Sequence, residues 1–134
     1  MRKWIFALLA LVLLAGCAKR TNPKNVERRI TKGSWTVASF SIGGESLAEN
    51  YAFYAFTFKE SGETMVLGQD GDVFTGSWNL GLNRNPAVLY LNFPPGGGLE
   101  YLADDWEVVK STRSELKLER NGSGGSTSVL VFRK

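Results

Sequence analysis

From Gly33 to Lys134 the chain alternates apolar and polar residues and is cut by turn residues at short intervals. Side chains of a β-strand point to opposite faces with a period of two, so this pattern reads as half-buried strands. The spacing predicts eight: Ser34–Ile42, Phe53–Lys59, Thr64–Leu67, Asp72–Leu80, Val88–Phe93, Asp104–Lys110, Ser114–Arg120 and Thr127–Arg133. Turn chemistry separates nearly all of them. Gly43-Gly44, Ser61-Gly62, Gln69-Asp70-Gly71, Asn83-Arg84-Asn85-Pro86, Pro94-Pro95-Gly96-Gly97-Gly98 and the Gly-rich stretch from Asn121 to Gly125 are poor strand formers and good turn formers. No segment carries a helical pattern of ten residues. Val26 and Ile30, four apart, permit one helical turn near residues 24–31.

Eight antiparallel strands joined in sequence favour an all-β, up-and-down β-barrel, because closure removes exposed sheet edges. A two-sheet sandwich is the alternative. The alternation assigns an inward face: Trp35 and Val37; Phe56 and Phe58; Phe74, Gly76, Trp78 and Leu80; Leu89, Leu91 and Phe93; Trp106 and Val108; Leu116 and Leu118; Leu130 and Phe132.

The N-terminus follows different rules. Arg2 and Lys3 precede an apolar run, Trp4 to Leu14. A membrane-spanning helix needs roughly 20 such residues, so this run is too short to span and fits the apolar core of a signal peptide. It ends in Leu14-Ala15-Gly16-Cys17, which resembles the lipobox of bacterial lipoproteins. That resemblance implies removal of residues 1–16 and attachment of a diacylglyceryl group and an N-acyl chain to Cys17, with no other cofactor. Several acyl chains hold a protein on a bilayer where one binds only reversibly. In the sorting rule of such lipoproteins, Asp after the cysteine retains the protein in the inner membrane. Ala18 stands there instead, which implies the outer membrane of a Gram-negative cell envelope. Residues 17–32 read as a lipidated cysteine and basic linker, and 33–134 as the barrel domain.

Charge narrows the partners. Two of the 16 basic side chains lie in the leader, leaving 14 against 13 acidic. Residues 19–32 hold six basic residues against Glu27, whereas 33–134 hold eight basic against twelve acidic. A domain with that excess of acid lacks the basic face that nucleic acid requires. The basic stretch beside the anchor suits anionic lipid headgroups.

The chain has no histidine and one cysteine. No intrachain disulfide forms, and the commonest general base and zinc ligand are missing. Asp70-Gly71-Asp72 lacks the later ligands of a calcium loop. Asp104 and Asp105 are neighbours on a strand and point to opposite faces, so they make no catalytic pair. Asn121-Gly122-Ser123 fits a glycosylation pattern but reads as a turn. Pro94–Gly98 lacks the Lys-Ser/Thr of a phosphate loop. Catalytic and metal-binding residues are therefore expected to be none, and the protein is not read as an enzyme.

Gly33-Ser34-Trp35 at the start of the first strand resembles the Gly-x-Trp signature of lipocalins. Phe56-Thr57-Phe58-Lys59-Glu60-Ser61-Gly62, Gly76-Ser77-Trp78-Asn79-Leu80 and the closing Val131-Phe132-Arg133-Lys134 are similar to short lipocalin-like lipoproteins of Gram-negative bacteria. The resemblance implies that Gly33, Trp35 and Arg133 close one barrel end, the guanidinium stacked on the indole. It also raises a ligand site for a small hydrophobic or amphipathic molecule, lined by Phe56, Phe58, Phe74, Trp78, Tyr90 and Trp106, with Tyr51, Tyr54, Tyr90 and Tyr101 at the rim. Classical lipocalins have longer strands and often a C-terminal helix, so a deep cup is not implied. The alternative is a filled barrel that serves as an interaction or structural module for another envelope protein. A cavity above roughly 300 Å³ open to solvent favours the ligand reading, and a filled interior with an exposed apolar patch favours the module.

Overall fold

A computed structural model describes residues 21–81, 83–122 and 125–134. Cys17 and the leader lie outside the described residues.

Helix α1 spans Pro23–Ile30. Asn22 caps it, its side-chain oxygen accepting from the Lys24 N–H at 2.9 Å, and Pro23 occupies the first helical turn. Proline is favoured there because its missing N–H has no intrahelical partner anyway. Nine strands follow: β1 (Thr36–Ile42), β2 (Glu45–Ser46), β3 (Ala55–Phe58), β4 (Glu63–Leu67), β5 (Val73–Leu80), β6 (Val88–Asn92), β7 (Asp104–Ser111), β8 (Glu115–Asn121) and β9 (Thr127–Arg133). They form one antiparallel sheet in the order β2-β1-β9-β8-β7-β6-β5-β4-β3. The chain is thus one curled sheet and not a two-sheet sandwich.

Two features differ from the expected eight-stranded closed barrel. Strand β2 is a two-residue return of the chain after Gly43-Gly44, too short to show in an alternation. The sheet is also not closed by a full ladder. Strand β1 pairs with β9 as expected of first and last strands, but it does not run alongside β3. The seam is held by one antiparallel bridge, in which Trp35 and Phe56 exchange both backbone hydrogen bonds at 2.7 Å. Beyond that bridge β1 turns away into its hairpin with β2, and a 3-10 turn, Ala48–Tyr51, fills the gap.

Bulges in β1 (between Val37 and Ser39) and β7 (between Val108 and Lys110) add a residue each to one side of a ladder. A bulge bends its strand and increases local twist, which a nine-stranded sheet needs in order to curl. In β1 the bulge also resets the alternation, so that Val37 and Phe40, three apart, both face inward.

Chain reversals define two ends. The tether end holds α1, the β3–β4 turn, the β5–β6 loop, the β7–β8 turn and the C-terminus. The far end holds the β1–β2 turn, the 3-10 turn Ala48–Tyr51, the β4–β5 turn, the loop from Pro94 to Ala103 and the β8–β9 turn. Helix α1 lies across the tether end. Val26 and Ile30 are buried in the same core as the strands, and Thr21 bonds the Val108 carbonyl and the Ala87 N–H at 2.8 and 2.9 Å. Residues 21–32, expected to be linker, are therefore a structural part of the folded unit. No helix of the described residues is long and apolar enough to cross a membrane.

Candidate functional site

The inward face is a continuous aromatic stack. Phe56 and Phe132 ring centroids stand 5.0 Å apart, Phe58 and Phe132 5.8 Å, Phe58 and Trp78 6.3 Å, and Phe56 and Phe93 6.3 Å. These spacings, mostly edge-to-face, are the favourable ones for aromatic pairs. Phe40 continues the stack to Tyr51 at 5.4 Å and Trp106 at 6.4 Å. Phe56, Phe58, Phe40, Trp106 and Phe132 are fully buried, mostly by one another. An eight- or nine-strand curl is just wide enough for side chains to fill, and among the described residues these side chains form its buried core.

Both ends are plugged. At the tether end α1 seals the interior with Val26 and Ile30. At the far end Leu99 and Leu102, from the 3-10 turn Leu99–Leu102, drop into the core with Tyr51. Two of the four tyrosines expected at an open rim instead fasten the lid: the Tyr51 and Tyr54 hydroxyls donate to the Gly98 and Gly97 carbonyls at 2.6 and 2.8 Å, while Tyr101 is exposed. Burial, aided by the Glu100 carboxylate, pushes the Tyr51 phenol up to about 12. The three tryptophans of the folded unit each tie down one closing segment. Indole N–H groups donate from Trp35 to the Ile30 carbonyl (3.0 Å), from Trp78 to Lys59 (2.9 Å) and from Trp106 to Leu102 (2.9 Å). A buried indole needs such an acceptor, and here each acceptor lies on a helix, turn or plug that the ring holds in place.

The residues named from sequence therefore fall into three groups. Phe56, Phe58, Trp78 and Trp106 meet in the packed interior. Phe74 is half-buried near the far end, 5.8 Å from Tyr54. Tyr90 is not inside at all. Leu89 and Leu91 take the inward positions of β6, so Tyr90 points to the outer wall. There it lines a polar groove of about 620 Å³ with Val88, Arg84, Asp105, Glu107 and Glu119. Glu107 sits directly across from Glu119, an unfavourable like-charge pairing.

Arg133 likewise does not stack on Trp35. Phe132 faces inward, so its neighbour Arg133 faces outward and reaches Glu115 at 3.5 Å. Lys134, one residue on, returns its ammonium over the Trp35 ring at 4.8 Å. A cation still covers the indole beside Gly33, with the register moved by one. At the opposite end Arg120 covers the Trp106 ring at 4.9 Å and pairs with Asp104. Lys110 holds the half-buried Glu115 carboxyl below the usual carboxylate range, with help from Arg133.

Among the described residues the outer surface has one apolar concentration, which the sequence alone did not single out. Leu67 and Val73 are cross-strand partners on the outer face of β4–β5, 50% and 57% exposed. Met65 shares that face, and Phe53, 65% exposed, stands beside the β4–β5 turn. Between Phe53 and that turn is a depression of about 210 Å³ floored by Tyr54 and Phe74 and edged by Asp70 and Asp72. The available signal was the outward parity of Met65, Leu67 and Val73 against Val66 and Phe74.

Residues 1–18 match the pattern of the prokaryotic membrane lipoprotein lipid attachment site. The chain matches no curated protein. Among solved structures it is similar to a DUF4847 family protein from Bacteroides vulgatus ATCC 8482, with 17% identity over 81% of this chain and 96% of that one and a TM-score of 0.56. It is also similar to a lipocalin-like protein from Bacteroides uniformis ATCC 8492, with 20% identity over 78% and 98% of the two chains and a TM-score of 0.50. Neither is described as an enzyme. The chain thus joins a prokaryotic lipid attachment site, and with it anchoring to a membrane of the cell envelope, to a folded domain with the fold of a lipocalin-like protein.

Proposed function

We propose that this protein is a lipid-anchored module of the cell envelope whose barrel is a filled scaffold and whose outer surface engages a protein partner. The observation that carries this is the packing of Phe56, Phe58, Trp78 and Phe132 against one another, with Trp106 buried against Phe40, where a ligand would have to lie. The far-end depression of about 210 Å³ is smaller than the roughly 300 Å³ at which small-molecule sites begin. The larger outer groove is lined by carboxylates and does not suit an apolar molecule.

The leader is removed after Gly16, Cys17 carries the diacylglyceryl and N-acyl chains, and Ala18 accords with sorting to the outer membrane. The exposed Phe53, Met65, Leu67 and Val73, with Glu49, Asp70 and Asp72 around them, fit a partner surface that is apolar with a basic rim.

Two experiments test this. Tryptophan fluorescence titrated across fatty acids, lysophospholipids and sterols is expected to stay unchanged; a saturable shift with any of them supports the small-ligand reading instead. A photo-cross-linking residue at Leu67, in cells, is expected to give one discrete adduct that is lost on Val73→Glu and absent when the cross-linker is at Lys117, on the outer face of β8 and four strands away from β4. Equal labelling from both positions would contradict a specific surface.

A further inference from the structure

The folded unit is electrically polar along its axis. At the tether end, α1 and the residues after it carry Lys24, Arg28, Arg29 and Lys32 against Glu27. The adjoining turns add Lys59 with Glu60 and Glu63, and Arg113 and Lys110 with Glu115, and the chain ends in Arg133 and Lys134. At the far end stand Glu45, Glu49, Asp70, Asp72, Glu100, Asp104 and Asp105, and among the described residues Arg120 is the one cation there. This separation is invisible in the nearly neutral total.

The cations at the tether end are not all occupied with their neighbours. Lys59 pairs with Glu63, and Lys110 and Arg133 share Glu115. Arg29 donates to the Ser111 carbonyl at 2.5 Å. Lys24, Arg28, Lys32 and Arg113 are exposed and form no ion pair among the described residues. Three residues, 18–20, lie between the lipid-bearing Cys17 and Thr21, so the four steps from one to the other reach at most roughly 14 Å at 3.6 Å each. Thr21 is itself pinned to the tether end by Val108 and Ala87. The free cations are therefore held close to the bilayer surface, within reach of its potential.

We infer that the tether end is a membrane-docking face, seated on anionic lipid headgroups through Lys24, Arg28, Lys32 and Arg113. Seated so, the barrel stands upright. Its acidic far end and the Phe53–Leu67–Val73 patch are turned away from the membrane, because anionic lipid repels the one end while attracting the other. The lipid anchor supplies residence at the membrane, and the basic face supplies orientation.

The mature lipidated protein tests this directly. Its one cysteine is occupied by lipid, so a single introduced thiol is unique. Dyes are placed at Ser61→Cys (tether end) or Gln69→Cys (far end), on vesicles carrying a headgroup quencher. On phosphatidylcholine with 30% phosphatidylglycerol at low salt, position 61 is expected to be quenched severalfold more than position 69. On phosphatidylcholine alone, or in 0.5 M salt where screening is short-ranged, the two positions are expected to converge. Lys24→Glu, Arg28→Glu and Lys32→Glu together are expected to abolish the difference. Arg113→Glu, on a turn outside the helix, is expected to reduce it, so the proposal does not hang on the helix tolerating three changes. Equal quenching on the anionic vesicles, or a difference that persists on phosphatidylcholine or in both variants, would overturn the inference.

Discussion

Thr64 on β4 is fully buried, faces inward opposite Gly76, and its hydroxyl has no hydrogen-bond partner among the described residues. Replacing it with valine exchanges that hydroxyl for a methyl while keeping the β-branched shape that strands favour. An unsatisfied buried hydroxyl costs about 1–3 kcal/mol, and a newly buried methyl contributes about 0.8 kcal/mol. Taking the lower part of each range, Thr64→Val is expected to stabilise the domain by roughly 1–2 kcal/mol. For a domain of this size that is a rise in Tm of about 4 °C per kcal/mol. The assay is urea unfolding of the mature protein in detergent, with Thr75→Val as the control. Thr75 is exposed on the outer face of β5, and its change is expected within about 0.5 kcal/mol of zero. A destabilisation of 1 kcal/mol or more by Thr64→Val would show that the hydroxyl has a partner inside the barrel. Such a partner would be bound solvent or a ligand, and the interior would then not be filled by side chains alone.

Further outcomes follow from the same packing. A Cβ at Gly76 would stand 2.5 Å from Phe93 Cδ1 and closer still to the Asn92 carbonyl, so Gly76→Ala is expected to cost about 1–3 kcal/mol in urea unfolding. Ile30→Ala is expected to cost about 2–5 kcal/mol, as for a core residue; a change below 0.5 kcal/mol would mean that α1 is a mere linker. Trp106→Phe keeps the ring but leaves the buried Leu102 carbonyl without its donor, with an expected loss of about 1–3 kcal/mol and faster amide exchange at Leu99–Leu102. Tyr51 gives a pH test. Its folded value is raised to about 12 from 10, so the native state holds the proton more tightly than the unfolded chain. Its contribution is complete below pH 10 and is lost as pH rises through 10 towards 12. Stability measured against pH is expected to fall over that window in the wild type and less steeply in Tyr51→Phe.

The strands were legible because their turns carry their own chemistry. Gln69-Asp70-Gly71 and the Pro94–Gly98 run mark ends that the structure places within a residue or two. The inward parity of Phe56, Trp78, Leu89, Trp106 and Leu118 was equally plain. What alternation does not encode is how a sheet meets itself. The seam bridge at Trp35 and Phe56, the two-residue β2 and the bulge that brings Phe40 inward are long-range or single-residue events. Helix α1 did leave a signature, since Asn22-Pro23 is a good cap and first turn and Val26 and Ile30 share a face. Eight residues is too short a span for that pattern to stand out against a basic linker. The plugs were missed because Leu99 and Leu102 follow a glycine-rich loop that reads as solvent-exposed. Without them an aromatic-lined tube looks open. Arg133 and Lys134 are adjacent, and only the direction of the last strand residue decides which one covers Trp35.

If nothing but side chains occupies the barrel, native mass spectrometry of the protein extracted gently from its own membranes finds no companion molecule. A single mass is expected, equal to the polypeptide from Cys17 with its acyl groups and unchanged as collision energy rises. A stoichiometric extra mass, released only when the barrel unfolds, would contradict it.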